Sequence, residues 1–297
     1  MATEHFFAIK FFEWKFTKKK SRAMVAESSL KKSPLDKLCW EFQAVVETFQ
    51  LKIKIRTNNS PALEKALEKL PFGWKFAETG AEDFVFSIWW REKKPDSLFL
   101  DDKRIAKRKD DERIIALFET FFRLTVAEFA PDRVFIHAGV VGWKNRAIII
   151  PAKSYGGKST MVAALVKAGA EYYSDEFAVI DKDGMVHPFP KPLSWREPDS
   201  YRQTDIPIET LGGKQGLKPL PVGLVLLTSF EKNAQWNPNK ISLGNGILAI
   251  LEHTVTTLNR PSQTLGFLHE SMKDAEIWQG PRGEADKIAI AILQKLG

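Results

Sequence analysis

The chain has 297 residues, 44% of them hydrophobic and 27% charged, and a formal net charge of +7. That composition belongs to a globular protein with enough apolar residues for one large core or two smaller ones. The single cysteine, Cys39, excludes an intrachain disulfide framework and a cysteine-rich zinc site.

Beyond one cluster, Lys18-Lys19-Lys20, the basic residues are dispersed, which suits small polyanions such as nucleotides and gives no case for a nucleic-acid groove. No apolar run is long enough to span a bilayer and no signal peptide is recognisable, so a cytoplasmic protein with neither membrane nor nucleic acid as partner is expected. Cys39 stands beside Trp40 and Phe42, which predicts a buried thiol.

In chain order, the aromatic-rich residues 5–16 read as a strand and 35–49 as a helix. Residues 51–57 alternate apolar and polar, as a half-buried strand does. Asn58-Asn59-Ser60-Pro61 is a turn with a serine cap and an N-terminal proline, opening a helix over 62–70. Residues 84–90 form another strand, and the charged stretch 91–110 a loop or hairpin. A domain boundary is expected there, giving a small N-terminal α+β domain over 1–105 and a second domain over 106–297. The first carries no catalytic constellation, and its aromatics read as core. Residues 110–130 then predict a helix with Leu117, Phe121, Leu124 and Phe129 on its buried side, followed by a strand over 133–141 and a turn over 142–145.

The next stretch concentrates the chemistry. Ile148-Ile149-Ile150 suits a strand covered on both faces, and Gly156-Gly157-Lys158-Ser159-Thr160 opens a helix that stops at Gly169. A strand feeding a Gly-Lys-Ser helix is the setting of a phosphate-binding loop, although Ala152 stands where the pattern has its first glycine. Ser154, Tyr155, Gly156, Gly157, Lys158, Ser159 and Thr160 would then cup the phosphates of ATP at the positive end of the helix dipole. Lys158 would reach the β- and γ-phosphates and Ser159 would ligate Mg2+. A strand–helix turn carrying this tetrapeptide by chance is the alternative.

Downstream, Ser174-Asp175-Glu176 sits where a core strand would meet the phosphate loop. Phosphoryl transfer to a hydroxyl needs positioned phosphates, a metal and a proton acceptor. Asp175 is the expected general base, with Asp175 and Glu176 joining Ser159 at the metal, directly or through water. A surface pair of carboxylates near a turn is the alternative.

The order His137-Ala138-Gly139, hairpin, phosphate loop, helix and then Tyr172 to Ile180 resembles the catalytic domain of HPr kinase/phosphorylase. More closely it resembles the HPr-kinase-related proteins, whose fold is shared with ATP-dependent phosphoenolpyruvate carboxykinase. His137 lies 21 residues before Lys158 and Asp175 lies 17 after it, and the resemblance covers residues 133–181. It implies an α/β fold, a P-loop mixed-sheet core of the HPr kinase/PEP carboxykinase type. It also implies that His137 lies near the γ-phosphate and Asp175, and that Arg196 meets phosphate oxygens. A core histidine and a surface arginine are the respective alternatives. The Glu-Ile-Arg-Gly-Leu-Gly signature of the bifunctional enzymes is absent. Ile208-Glu209-Thr210-Leu211-Gly212-Gly213 has no arginine, so neither a phosphorylase activity nor HPr as substrate follows.

Residues 181–184 predict a hairpin turn that pairs 177–181 with 185–189, His187 being structural. The polar, glycine-rich stretch 197–221, with Lys214, has the composition of a mobile lid. A buried strand over 222–227, a helix over 246–258, a helix or turn over 265–272, a strand over 274–278 and an amphipathic helix over 283–296 complete the chain, with His253 and His269 structural.

The sequence therefore predicts a Mg-ATP-dependent kinase moving the γ-phosphoryl group to a hydroxyl, serine foremost, of a protein, peptide or small metabolite. Homo-oligomerisation is left open. A nucleotide-binding regulator or scaffold without turnover is the second reading, and a P-loop ATPase acting on nucleic acid the third.

Overall fold

A computed structural model describes residues 34–91, 95–152, 156–196, 203–257 and 259–296. The strand expected over 5–16, the cluster Lys18-Lys19-Lys20, and Ser154 and Tyr155 of the cup lie outside the described residues. The chain divides into one unit up to Val126 and a second from Ala127 to Gly297.

In the first unit six strands form a sheet in the order β3-β1-β2-β4-β5-β6. They are β1 (Phe42–Thr48), β2 (Leu51–Thr57), β3 (Lys75–Phe76), β4 (Phe84–Trp89), β5 (Asp96–Leu100) and β6 (Lys103–Arg108). Helix α1 (Ser60–Glu68) connects β2 to β4, which pair in parallel as a crossover helix requires. Its cap is Asn59, whose side chain accepts from the Ala62 amide at 3.0 Å, one residue earlier than the serine expected. The outer strand β6 reads Lys-Arg-Ile-Ala-Lys-Arg, four cations in six residues.

Three expectations are corrected here. Residues 35–49 do not form a helix: 42–48 is β1, with Val45 and Val46 buried, paired to β2 from Phe42↔Thr57 to Thr48↔Leu51. The connecting turn places Phe49 and Gln50 at φ 47° and 63°, the left-handed pair of a two-residue hairpin, without the Asn-Gly that usually marks one. Helix α2 (Asp111–Phe129) does form, but its stripe is set differently: Ile114, Ile115, Phe118, Phe121, Phe122 and Val126 are buried, whereas Leu117, Leu124 and Phe129 are half-buried. Phe118 and Phe122 pack on Phe86 of β4 at centroid distances of 5.4 and 5.5 Å. Cys39 is exposed. Its neighbour Trp40 takes the packed position, 4.7 Å from the Arg56 guanidinium and edge-on to Trp89 at 5.1 Å.

The second unit is built on β7 (Arg133–Trp143), β8 (Arg146–Pro151), β9 (Glu171–Ser174), β10 (Phe177–Asp181), β11 (Met185–His187), β14 (Leu220–Phe230), β15 (Asn239–Lys240) and β16 (Glu276–Arg282). The order is β11-β10-β7-β8-β14-β16-β15, with β9 also on β7 and β11 returning to β14, so five of these strands close a circuit. Strands β8, β14 and β16 run parallel, while β7 and β10 are antiparallel, giving a mixed sheet. The strand β8 is covered on both faces, as its sequence predicts. Ile148 and Ile150 join Leu224, Leu226 and Trp278 in one core, and Ala147 and Ile149 join Val222, Val225 and Ile277 in the other. Against the first core lie α3 (Lys158–Lys167) and α6 (Ala285–Lys295). The second contains residues of α4 (Leu243–Leu251) and α5 (Pro261–Met272). No helix among the described residues is long and apolar enough to cross a membrane.

The hairpin over 177–187 forms as expected. Asp181 Oδ1 accepts from the amides of Asp183 and Met185 at 3.0 and 2.9 Å, and Oδ2 lies 2.6 Å from His187 Nε2. The lid expected over 197–221 is corrected for its described part. Strand β13 (Gln203–Ile206) pairs with β12 (Leu193–Arg196), the Tyr172 amide donates to the Lys214 carbonyl at 2.8 Å, and Gly216 N donates to Tyr172 O at 2.8 Å. Backbone pairing to β9 thus fixes this segment and Lys214 within it. The helix expected over 246–258 ends at Leu251, and a separate helix follows from Pro261, where proline suits the first turn. The last strand extends to Arg282 rather than stopping near 278.

Candidate functional site

The site forms where β8 delivers the chain to the start of α3. Gly157 caps α3 in the left-handed region at φ 76°, a conformation open to glycine at little cost. Ala152 is buried at the end of β8 and is not among the non-glycine residues at positive φ, so alanine meets no backbone strain there. Beneath the helix, β7 passes very close. A Cβ added to Gly139 would sit 2.4 Å from Val162 Cγ2 and 3.2 Å from Lys158 Cγ, so only glycine lets α3 settle on the sheet.

Strand β9 brings the carboxylates to this point by pairing with β7, Ser174 lying opposite Val140. Lys158 Nζ donates to Asp175 Oδ1 at 2.8 Å and also to the Asp175 carbonyl, and Ser159 Oγ donates to Asp175 Oδ2 at 2.7 Å. Asp175 is buried, so this pairing offsets a desolvation that would otherwise penalise its charge. The turn that aims it is fixed by Ser174, whose buried hydroxyl accepts from the Glu176 and Phe177 amides at 3.1 and 3.0 Å.

Of the residues predicted for the site, Lys158, Ser159 and Asp175 are brought together. Glu176 is adjacent, its carboxylate 3.9 Å from Lys191 Nζ. Gly156, Gly157 and Thr160 lie in the same turn. His137 faces Phe177 across the β7–β10 ladder, its ring edge-on at 6.1 Å and its amide donating to His253 O at 2.8 Å. Arg196 ends β12, and its side chain is outside the described set.

Three residues were not anticipated from the sequence. Lys191 neighbours Glu176 and accepts, through its carbonyl, the Tyr172 hydroxyl at 2.5 Å. Tyr172 is buried, and burial together with the charges of Asp175 and Glu176 pushes its phenol well above the usual range, so it stays a neutral donor. Arg282, at the end of β16, donates from Nη2 to the Gly157 carbonyl at 2.9 Å. No local pattern marks any of the three.

Among solved structures, the Hpr(Ser) kinase/phosphatase from Coxiella burnetii matches with a TM-score of 0.30 and 13% identity, over 54% of this chain and 94% of that one. The similarity is weak. No family model matches the chain, and no curated protein matches it. The functional reading therefore stands on the side chains.

Proposed function

We propose that the protein is a Mg-ATP-dependent kinase that transfers a γ-phosphoryl group to a hydroxyl, with serine in a protein or peptide, or a small metabolite, as acceptor. The observation that carries this is the meeting of Lys158, Ser159 and Asp175 at the start of a ten-residue helix capped by a left-handed glycine. A cation, a hydroxyl and a carboxylate at a helix N-terminus are the parts phosphoryl transfer uses.

The donor set fits Mg2+. Ser159 Oγ and Asp175 Oδ2 are hard oxygens 2.7 Å apart, and among the described residues no three His, Cys, Asp or Glu gather to hold a metal alone. Magnesium in nucleotide sites is commonly shared with phosphate and water oxygens in just this way. When bound it supplies neutralisation of phosphate charge.

In this reading Lys158 exchanges its Asp175 partner for phosphate oxygens, which releases the carboxylate. Asp175 takes the acceptor's hydroxyl proton as the acceptor oxygen bonds to the γ-phosphorus and the bond to the β–γ bridging oxygen breaks, leaving ADP. Ser174 keeps Asp175 aimed, Glu176 would help hold the metal, directly or through water, and Tyr172 holds the Lys191 backbone beside them.

Label transfer from γ-labelled ATP to candidate acceptors, together with calorimetric ATP binding, tests the proposal. Asp175→Asn should bind ATP within about threefold of wild type while transfer falls by roughly 10²-fold or more, and Lys158→Ala should lose both. Wild-type protein that binds no ATP would overturn the reading. Binding without transfer to any acceptor would favour the regulatory alternative instead.

A further inference from the structure

Arg282 is 2% exposed and ends β16, whose C-terminal end shares a sheet edge with those of β14 and β8. Ligands of parallel sheets bind beyond that edge. The guanidinium has Nη2 on the Gly157 carbonyl at 2.9 Å, Nη1 on the Gly283 carbonyl at 3.0 Å, and Cζ 5.7 Å from the centroid of the Phe230 ring. Its Nε is buried with no hydrogen-bond partner. Among the described residues no carboxylate makes an ion pair with it, and the acidic side chain whose charge supports it, Glu284, is exposed to solvent.

A guanidinium buried against neutral carbonyls, one donor unpaired, is costly to fold around. The local structure does not require it either: the Gly157 carbonyl already accepts from the Met161 amide at 3.0 Å, which closes the first turn of α3 without help. The charge also sits tight against the cup, because a Cβ on Gly157 would lie 2.3 Å from Arg282 Nη2.

We infer that Arg282 is a positioning residue for polyphosphate: it grips the Gly157 peptide from behind and, with Lys158, supplies the second positive charge that a di- or triphosphate at the start of α3 compensates. The inference rests on the nucleotide reading above and extends it to a ligand class, favouring chains of two or three phosphates over one. Arg282 acts through the Gly157 peptide and through its field, not by touching the transferred group.

The test is a charge ladder. ATP, ADP and AMP, and in parallel tripolyphosphate, pyrophosphate and inorganic phosphate, are titrated calorimetrically into wild type, Arg282→Met and Arg282→Lys, and the ligand-free proteins are melted. Arg282→Met should melt at or above the wild-type temperature without ligand, yet lose affinity in graded fashion: tenfold or more for ATP, less for ADP, little for AMP. Arg282→Lys should recover part of the ATP loss. An equal loss for all three nucleotides, no loss, or a ligand-free variant that melts well below wild type or fails to fold would each overturn the inference, since each makes Arg282 a structural brace. If wild type binds none of the six probes, the nucleotide reading itself falls; if wild type binds and Arg282→Met binds equally, only the role of Arg282 does.

Discussion

Replacing Gly139 by alanine should displace α3, and the geometry says by how much. The added Cβ would stand 2.4 Å from Val162 Cγ2 and 3.2 Å from Lys158 Cγ. Apolar carbons prefer about 3.5–4.0 Å, so the first contact alone demands a shift of more than ~1 Å. Val162 is fully buried and belongs to α3, so the helix must lift or β7 must sink. Overpacking of this kind costs about 1–3 kcal/mol. Stiffening of the unfolded chain by alanine returns about 0.4–1 kcal/mol. A net loss of about 1–2 kcal/mol corresponds to a melting decrease of roughly 2–8 °C for a unit of this size. Because Lys158 is on the same helix, ATP affinity should fall with stability. Urea titration of Gly139→Ala, Val162→Ala and the double variant, followed by tryptophan fluorescence, measures the effect. Val162→Ala alone should cost about 2 kcal/mol, and the double variant should be more stable than additivity allows by about 1 kcal/mol or more. A Gly139→Ala protein with wild-type midpoint, or a double variant whose losses simply add, would refute the packing argument. Gly80→Ala, where no atom lies within 4 Å of the new carbon, serves as the control.

Further outcomes follow from other parts of the second unit. Burial pushes Glu128 from its ordinary 4.5 up to about 7, against the opposing charge of Arg260. Between those values the folded protein holds more protons than the unfolded chain. Stability should therefore fall by about 3 kcal/mol as pH climbs through that window and level off above it. Denaturation midpoints of wild type and Glu128→Gln between pH 4.5 and 8 check this, the variant losing most of the slope. Asp181→Ala removes the acceptor for two amides and the partner of His187. It should cost about 1–3 kcal/mol in the same assay while ATP affinity stays unchanged. Chelation of Mg2+ should reduce the thermal stabilisation that ATP confers on wild type, and Ser159→Ala should show that smaller stabilisation even with the ion present; a Ser159→Ala protein that keeps the full wild-type stabilisation with Mg2+ would remove Ser159 from the metal.

The site was legible in the sequence to the extent that it is local. Gly157, Lys158 and Ser159 are consecutive, and a strand–turn–helix reading is enough to place them. Asp175 required one further step, the return of β9 beside β7 and a turn at Asp175-Glu176 that separates β9 from β10. Arg282 required knowing that β16 runs parallel to β14, which brings its end to Gly157, a contact across 125 residues that leaves no trace in either segment. The misreadings have equally particular causes. Phe49-Gln50 adopts a left-handed pair with none of the residues that favour it, so β1 merged with its surroundings into an apparent helix. The amphipathic stripe of α2 has apolar residues on more than one side, and the aromatic packing on Phe86 selects Phe118 and Phe122 over Leu117 and Leu124.

The outer strand of the first sheet has a consequence for behaviour in concentrated solution. Among the described residues β6 is the border of its sheet, where a row of open backbone groups would be a template on which another chain can add, and it carries Lys103, Arg104, Lys107 and Arg108. Two molecules approaching along that border would bring like charges together, a repulsion that reaches about 10 Å at 0.1 M ionic strength and shrinks to about 3 Å at 1 M. Fibre-like association through this strand is thus guarded by electrostatics rather than by shape, and brine is the condition in which the guard would drop.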